Sequence, residues 1–322
     1  MNIVLTGATG FIGSSLTEAL LKRGDHLTVV TRSSRGNLSY QSKLRYATWN
    51  PNDVTSTIRE IDGTDAVINL AGEAIAGGRW TTKRKQRILE SRVHSTQIVA
   101  NSIKKALAKP KVLINASAVG YYGPRGSELL TEESRPGGGF LSDVCKAWEA
   151  HAIRVEDFDV RVIRLRIGIV LGRGGGALAM MLTPFKMFLG GWLGNGNQWM
   201  SWIHLGDLIR LILFCLDQPT ARGAINAVTS QPVTNKAFSL VLAQVLKRPC
   251  FMPVPAVALK ILLGELADML LTGQRVIPKK AEELGFSFRY PDIRHALETI
   301  LTPGIRSGEF GVRDAEWSKQ AK

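Results

Sequence analysis

The sequence predicts an α/β protein: a Rossmann-type, doubly wound parallel sheet followed by a smaller, mainly helical C-terminal substrate or lid region. Three observations carry that expectation. An apolar run at the start, Ile3-Val4-Leu5, leads through a glycine-spaced turn into a helical apolar pattern. Strand-like and helix-like segments then alternate up to about Gly172. Beyond Gly172 the chain becomes rich in glycine and tryptophan, and then helical with proline punctuation at Pro249, Pro253 and Pro255.

Ile3 to Leu5 suit a strand buried on both faces. Phe11, Ile12, Leu16, Ala19 and Leu20 recur at helical spacing until Gly24, a natural stop. Between them, Gly7 permits a tight turn, Gly10 lets the backbone approach a pyrophosphate, and Gly13 lets the helix pack on the strand. The helix N-terminus offers free N–H groups to the anion. Gly7, Thr9, Gly10, Phe11, Ile12 and Gly13 therefore form the candidate dinucleotide cradle.

His26 to Thr31 reads as the second strand, and its end is informative. An NAD-selective site places Asp or Glu there for the ribose hydroxyls. This chain has Thr31-Arg32-Ser33, with Arg35 close behind. A guanidinium suits a 2′-phosphate by bidentate contact, so NADP(H) is favoured over NAD(H). Leu44 to Trp49 reads as a third strand, and Pro51 to Ile61 as a turn and short helix. Asp65 to Gly72 is a fourth strand whose small exit residues, Leu70, Ala71 and Gly72, can lie against a cofactor ribose. A long helix from about Thr82 to Leu107 has Leu89, Val93, Thr96, Ala100, Ile103 and Leu107 as its expected buried stripe, with Arg92 beside it.

Lys111 to Ser117 is the fifth strand, with Ser117 at the ligand-binding end of such a sheet. The loop Ala118 to Pro124 brings Tyr121 and Tyr122 nearby. A helix from about Phe140 to Glu156 follows, with Leu141, Val144, Cys145, Trp148 and Ala152 as its core face. Asp159 to Arg166 is the sixth strand, continuing into Ile167 to Gly172. The expected organisation is 1–173 as the NADP-binding domain, with 204–230 returning to it. Residues 174–203 and 231–300 form the substrate or lid region, and 301–322 a polar tail. Gly174-Gly-Gly176 reads as a flexible break, and Trp192, Trp199 and Trp202 as a pocket lid. His204 reads as the holder of a helix start, and Glu132-Glu133 as solvated.

With 45% apolar and 21% charged residues, the chain has the composition of a soluble globular protein. Three isolated cysteines suit a reducing compartment, and the five histidines share no spacing that proposes a metal site. The first residues run straight into a strand, so no leader is expected and the expected location is cytoplasmic. The most apolar stretch, Val254 to Leu271, is interrupted by Lys260, Glu265 and Asp268 and is not a membrane span. The net charge of +14 has no aromatic interleaving of the single-strand-binding kind, so a small-molecule substrate is expected rather than nucleic acid. Composition leaves the oligomeric state open.

Several stretches together resemble a known family. These are the loop Gly7/Gly10/Gly13, Asn69-Leu-Ala-Gly-Glu73 with Arg79-Trp80, Ser117-Ala-Val-Gly-Tyr-Tyr-Gly123 and Trp202-Ile-His-Leu-Gly-Asp207. Gly273-Gln-Arg-Val-Ile-Pro-Lys-Lys280 with Leu284-Gly-Phe-Ser-Phe288 completes the set. The chain resembles the atypical, epimerase-like subfamily of extended short-chain dehydrogenases/reductases, the YfcH-like and giant-chloroplast-like proteins. Their C-terminal module has no assigned function. The resemblance implies cofactor contacts at Thr31-Arg32, Leu70-Ala71, Arg92 and Ile169-Val170.

It also implies a catalytic set of Ser or Thr, a Tyr, and a Lys four residues after that Tyr. The lysine holds the nicotinamide ribose and lowers the tyrosine pKa, so that the phenol exchanges a proton as hydride moves. Ser117 matches the first member and Lys146 the last, but Ser142 stands at the tyrosine position. Three outcomes remain open. Tyr121 or Tyr122 supplies the phenol, the reaction needs no strong proton donor, or the protein binds NADP(H) without turnover as a regulator. The expected activity is that of an oxidoreductase or epimerase on a small molecule such as a nucleotide sugar, with the non-catalytic binder as its alternative.

Overall fold

Ile3, Val4 and Leu5 do form a strand, and all three are buried. A computed structural model describes residues 1–31, 42–49, 54–76 and 78–302. In chain order the first half comprises β1 (Asn2–Thr6), α1 (Phe11–Arg23), β2 (His26–Thr31), β3 (Leu44–Thr48), α2 (Val54–Ile61) and β4 (Ala66–Asn69). Next come α3 (Thr82–Lys105), β5 (Val112–Ala118), α4 (Phe140–Ile153), β6 (Arg161–Ile167), β7 (Ile169–Leu171) and α5 (Gly176–Lys186). β8 (Trp202–His204), α6 (Leu205–Asp217) and β9 (Gly223–Ala227) complete the central layers.

The main sheet has seven strands in the order β3-β2-β1-β4-β5-β6-β9, every neighbouring pair parallel. On one face α1 and α6 bury Leu16, Leu20, Leu208, Ile212 and Cys215. On the other, α2, α3 and α4 bury Ile61, Val99, Ile103 and Ala152. The connections run one way from β1 and the other way from β4. The crevice outside the carboxyl ends of β1 and β4 is therefore the place where such a sheet holds a ligand.

The C-terminal part contains α7 (Asn235–Leu246), α8 (Ala256–Leu263), α9 (Leu266–Leu271), α10 (Lys279–Glu283) and α11 (Ile293–Leu301). It is wired to the sheet layers by buried polar contacts. Asp207, at the start of α6, accepts hydrogen bonds from the backbone N–H groups of Arg289 (3.0 Å) and Tyr290 (2.8 Å). Asn226 on β9 donates to the Ile277 carbonyl at 3.0 Å. Residues Arg275–Val276 add a short parallel strand beside Leu129–Leu130.

Several expectations need correction. The buried face of α3 comprises Ile88, Arg92, Ser95, Thr96, Ile98, Val99, Ala100, Ser102 and Ile103: Thr96, Ala100 and Ile103 of the expected stripe are buried, Leu89 and Val93 are only half-buried, and Leu107 is 93% exposed. Arg92, Ser95, Thr96 and Ser102 make that face partly polar, so apolar spacing alone misplaces the N-terminal part of the line, and Arg92 lies within the stripe rather than beside it. Gly175 and Gly176 are packed rather than loose, a Cβ on Gly175 lying 2.6 Å from the Phe11 ring and one on Gly176 2.7 Å, whereas Gly174 is exposed with open space around it. Trp202 is no lid, being fully buried with its indole N–H donated to the Gln231 carbonyl at 3.1 Å. Trp199 donates to Ser127 Oγ at 3.2 Å beneath the Arg275 guanidinium, and Lys236 caps the Trp192 ring. His204 holds the start of α6 as expected, its Nδ1 accepting from the Gly206 N–H at 3.0 Å.

Candidate functional site

The crevice has two banks, and the first is made of backbone. Gly7 leaves β1 with φ +72°, a conformation that favours glycine. A Cβ there would sit 2.6 Å from the Leu70 carbonyl, and a Cβ on Gly13 would sit 2.1 Å from the Gly7 carbonyl oxygen. α1 begins with no side-chain cap at Gly10. The N–H groups of Phe11 and Ile12 are thus left for an anion, with Thr9 and Gly10 exposed at the rim. The Phe11 ring turns away into the Gly172–Gly176 segment, so this residue offers its backbone only.

The opposing lip is Leu70–Gly72, held from below by Asn69. Asn69 Oδ1 accepts from Thr6 Oγ1 (2.6 Å) and the Ala71 N–H (3.3 Å). Its amide donates to Thr96 Oγ1 (3.0 Å) and Asn115 Oδ1 (2.7 Å). Close-packed glycines and an uncapped helix N-terminus at the switch point fit the diphosphate of a dinucleotide.

Arg92 lies beneath this lip. A Cβ on Gly72 would be 3.3 Å from its guanidinium carbon. The guanidinium donates to the Ile88 carbonyl at 3.1 Å and stacks 5.2 Å from the Trp148 ring centroid. Among the described residues it makes no ion pair, for Glu73 is itself bound by Arg84 and by Arg87. Burial pulls its pKa down from the ordinary guanidinium value, yet the group keeps its proton. A buried cation without a counter-ion at the crevice is positioned to receive an anion or hydroxyl.

The second bank is made of side chains. Ser117 donates to Glu149 Oε1 at 2.7 Å. Glu149 is buried and bidentately bound by Arg166 (2.8 and 2.9 Å), with Arg164 at 3.2 Å. Arg166 also donates to the Tyr122 hydroxyl at 2.9 Å, and that hydroxyl donates to Asn226 Oδ1 at 2.7 Å. Burial pushes the Tyr122 phenol up to about 12, away from use as an acid. Glu132, expected to be solvated, accepts from the backbone N–H groups of Asn226 (2.9 Å) and Lys280 (3.3 Å), and burial raises its pKa. The C-terminal segment thereby closes the network.

The structure does not assemble the expected relay. Ser117 and Tyr122 lie near the end of β5, but both hydroxyls are engaged in this network. Lys146 is 43% exposed at its side chain, its ammonium 2.7 Å from Asp143 on the outer face of α4. Ser142 is buried and donates to the carbonyls of Tyr121 (2.9 Å) and Gly137 (2.8 Å). One residue step on a helix turns the side chain by about 100°. Besides Ser142 and Glu149, α4 brings Leu141 and Cys145 against the segment just past Ser117. A Cβ on Gly120 would be 3.2 Å from Leu141 Cβ and 3.8 Å from Cys145 Sγ, and that thiol donates to the Ala118 carbonyl at 3.7 Å. Burial pushes the Cys145 thiol up to about 11. Tyr121 is different: Arg166 lies 3.5 Å from its ring centroid, and no described residue hydrogen-bonds its hydroxyl.

Ile169 and Val170 lie on β7, paired in parallel with β8, half-buried and buried respectively. Thr31 is the half-buried last residue of β2, while Arg32 and Arg35 lie outside the described residues. Glu149, Arg166 and Asn226 were not legible as site residues. The available signal was charge in buried segments: Arg164 and Arg166 within a strand, Glu149 four residues beyond Cys145. Such charges must find partners.

The switch point, the glycine turn and the open helix start define a Rossmann-type dinucleotide-binding fold. The NAD dependent epimerase/dehydratase family model matches residues 3–227, and a domain of unknown function (DUF1731) matches residues 254–300. The chain belongs to the NAD dependent epimerase/dehydratase family. It is 43% identical over 307 residues to the epimerase family protein SDR39U1 homolog, chloroplastic, of Arabidopsis thaliana, covering 94% of this chain and 87% of that one. It is 39% identical over 302 residues to the epimerase family protein YfhF of Bacillus subtilis, covering 94% and 98%. A crystal structure of the human epimerase family protein SDR39U1 (isoform 2) with NADPH matches at TM-score 0.85 and 34% identity, over 93% of this chain and 99% of that one. MoeE5 in complex with UDP-glucose and NAD, 21% identical at TM-score 0.74, shares the fold.

Proposed function

We propose that this protein binds NADP(H) in the β1–β4 crevice and works without the Ser–Tyr–Lys relay, as a dinucleotide-binding regulator rather than an epimerase. The observation that carries this reading is the turn of α4, which aims Leu141 and Cys145 at the β5 exit and leaves Lys146 paired with Asp143 outside. A buried thiol pushed up to about 11 and a leucine cannot hold a ribose and exchange a proton as an ammonium and a phenol do. The glycine turn and the first turn of α1 would take the diphosphate, and the unpaired Arg92 would take an oxygen near the Leu70–Gly72 lip. Two facts support NADP(H): Arg32 directly follows the last residue of β2, and the human relative was crystallised with NADPH. When bound, the cofactor supplies hydride chemistry.

Titration calorimetry tests this. NADPH is expected to bind about tenfold or more tighter than NADH, and Arg32→Ala to abolish the difference. Arg92→Met is expected to weaken NADPH binding by about tenfold or more. Equal affinity for the two nucleotides in the wild type would overturn the NADP(H) assignment. A second reading rests on the unbonded Tyr121 hydroxyl: an oxidoreductase or epimerase of a nucleotide sugar that uses this phenol as its acid. Turnover on a panel of nucleotide sugars, lost in Tyr121→Phe, would establish it in place of the first.

A further inference from the structure

α8 is packed on one side only: Leu259 is buried and Leu263 rests against the Trp80–Leu266 cluster, and among the described residues the rest of its apolar surface is uncovered. Its sequence Ala-Val-Ala-Leu-Lys-Ile-Leu-Leu contains one polar residue, yet Leu259 is the only side chain it buries, while Val257, Ile261 and Leu262 are 66–69% exposed. Two loops extend this surface. Phe188 and Leu189 are 57% and 69% exposed, and Phe251 and Met252 are 72% and 71% exposed. The loops are contiguous: a Cβ on Gly191 would lie 2.1 Å from the Met252 carbonyl oxygen, one on Gly190 would lie 2.7 Å from that of Pro249, and Arg248 covers the Phe188 ring at 4.4 Å. The Phe251–Met252 loop leads directly into α8. Phe188 has φ +64°, a conformation an aromatic residue takes only under constraint. The fold therefore bears local strain to hold an aromatic ring half outside the protein.

The charge on these segments themselves has one sign, and the acids that follow α8, Glu265 and Asp268, are paired with Lys85 and Lys260. Residues 186–191 and 247–262 carry Lys186, Lys247, Arg248 and Lys260 and no carboxylate. The nearest acid seen to act on them is Asp268, 3.4 Å from Lys260 in an exposed pair. A second copy related by a two-fold axis would set these cations against one another, which disfavours self-association. Side chains this exposed project rather than line a groove, and they come from one helix and two loops. Projecting apolar groups rimmed by Lys and Arg suit insertion between the headgroups of an anionic bilayer. Among the described residues no helix is long and apolar enough to cross a membrane, so the contact is interfacial.

We infer that α8 with the Phe188–Leu189 and Phe251–Met252 loops is a docking surface for anionic membranes. The inference is independent of cofactor binding. Flotation of the full chain with phosphatidylglycerol-containing vesicles tests it, with phosphatidylcholine vesicles as the neutral arm. The wild type is expected to float with the anionic vesicles only, and less as salt rises. Phe188→Asn with Leu262→Ser, and separately Lys247→Glu with Arg248→Glu, should each cut the floated fraction about tenfold or more. Asparagine tolerates the left-handed backbone, so the thermal midpoint should not fall, and NADPH calorimetry should be unchanged. Absence of wild-type flotation, or variants that float like the wild type, would overturn the inference. So would a concentration-dependent dimer in sedimentation that the same variants dissolve.

Discussion

The two banks of the crevice are built from different material. The β1–β4 bank is backbone against backbone: Gly7 against Leu70, and Gly13 against Gly7. The β5–β6–β9 bank is side chain against side chain: Ser117, Glu149, Arg166, Tyr122 and Asn226 in one bonded chain. The first bank leaves N–H groups unused and is open to a ligand. The second is closed on itself, with its donors and acceptors consumed internally. On the reading proposed above, binding and acid–base chemistry are separable in this fold: the first bank serves the dinucleotide, and the second serves stability.

The largest effect should come from the backbone bank. In Gly13→Val the new Cβ would meet the Gly7 oxygen at 2.1 Å, and a peptide carbonyl cannot step aside as a side-chain end can. A loss of about 4 kcal/mol or more is expected in urea denaturation, with NADPH binding gone. Gly10→Ala is the control, because its Cβ would be 3.3 Å from the same oxygen. It should fold and lose affinity alone, by crowding the cradle. If Gly13→Val folds and binds like the wild type, the bank is not set by close backbone approach.

The side-chain bank should be nearly as sensitive in stability and far less so in binding. Glu149→Leu would leave Arg166 buried beside Ser117 with no carboxylate, which costs about 3–5 kcal/mol. Adding Arg166→Leu removes the uncompensated charge and should recover part of that loss. NADPH affinity, measured on the folded fraction, should change less than in Gly10→Ala. A larger binding loss in Glu149→Leu would mean that the two banks are coupled.

That contrast also explains what the sequence revealed. Backbone proximity needs glycine, and glycine at Gly7, Gly10 and Gly13 is visible without a structure. The strand alternation likewise exposed the doubly wound sheet, because its buried strands are written in apolar residues. The other bank consists of charged and polar residues placed where periodicity expects apolar ones. Apolar spacing found the buried Thr96, Ala100 and Ile103 of α3 but took Leu89 and Val93 where Arg92 and Ser95 are buried, and missed Ser102. The same bias made Glu132 look solvated, since an isolated charge reads as surface; its partners, Lys280 and Asn226, decide otherwise. Lys146 stands out only by its resemblance to the family's lysine position, and it sits in an exposed pair with Asp143. Only the partners are informative, and for Glu132 they lie far off in the chain.

The smallest effect distinguishes the two tyrosines. The folded state holds the Tyr122 proton up to about 12, above the ordinary phenol value of 10.0. The unfolded chain therefore releases this proton first as pH rises. The stability it contributes is complete below pH 10 and drains away between 10 and 12, by up to about 3 kcal/mol. Cys145 and Cys215, pushed up by burial to about 11 and about 12, add to the same alkaline slope, so the difference between variant and wild type isolates the tyrosine. Tyr122→Phe should lose the tyrosine's share of that slope and cost about 1–3 kcal/mol at neutral pH, because Asn226 and Arg166 each lose a partner. Tyr121→Phe removes no hydrogen bond among the described residues, so it should cost less than about 0.5 kcal/mol and leave the alkaline slope in place. If Tyr121→Phe flattens the slope instead, the phenol bound into the β5–β6–β9 bank has been misassigned. The separation between an open binding bank and a closed structural one would then fail at its centre.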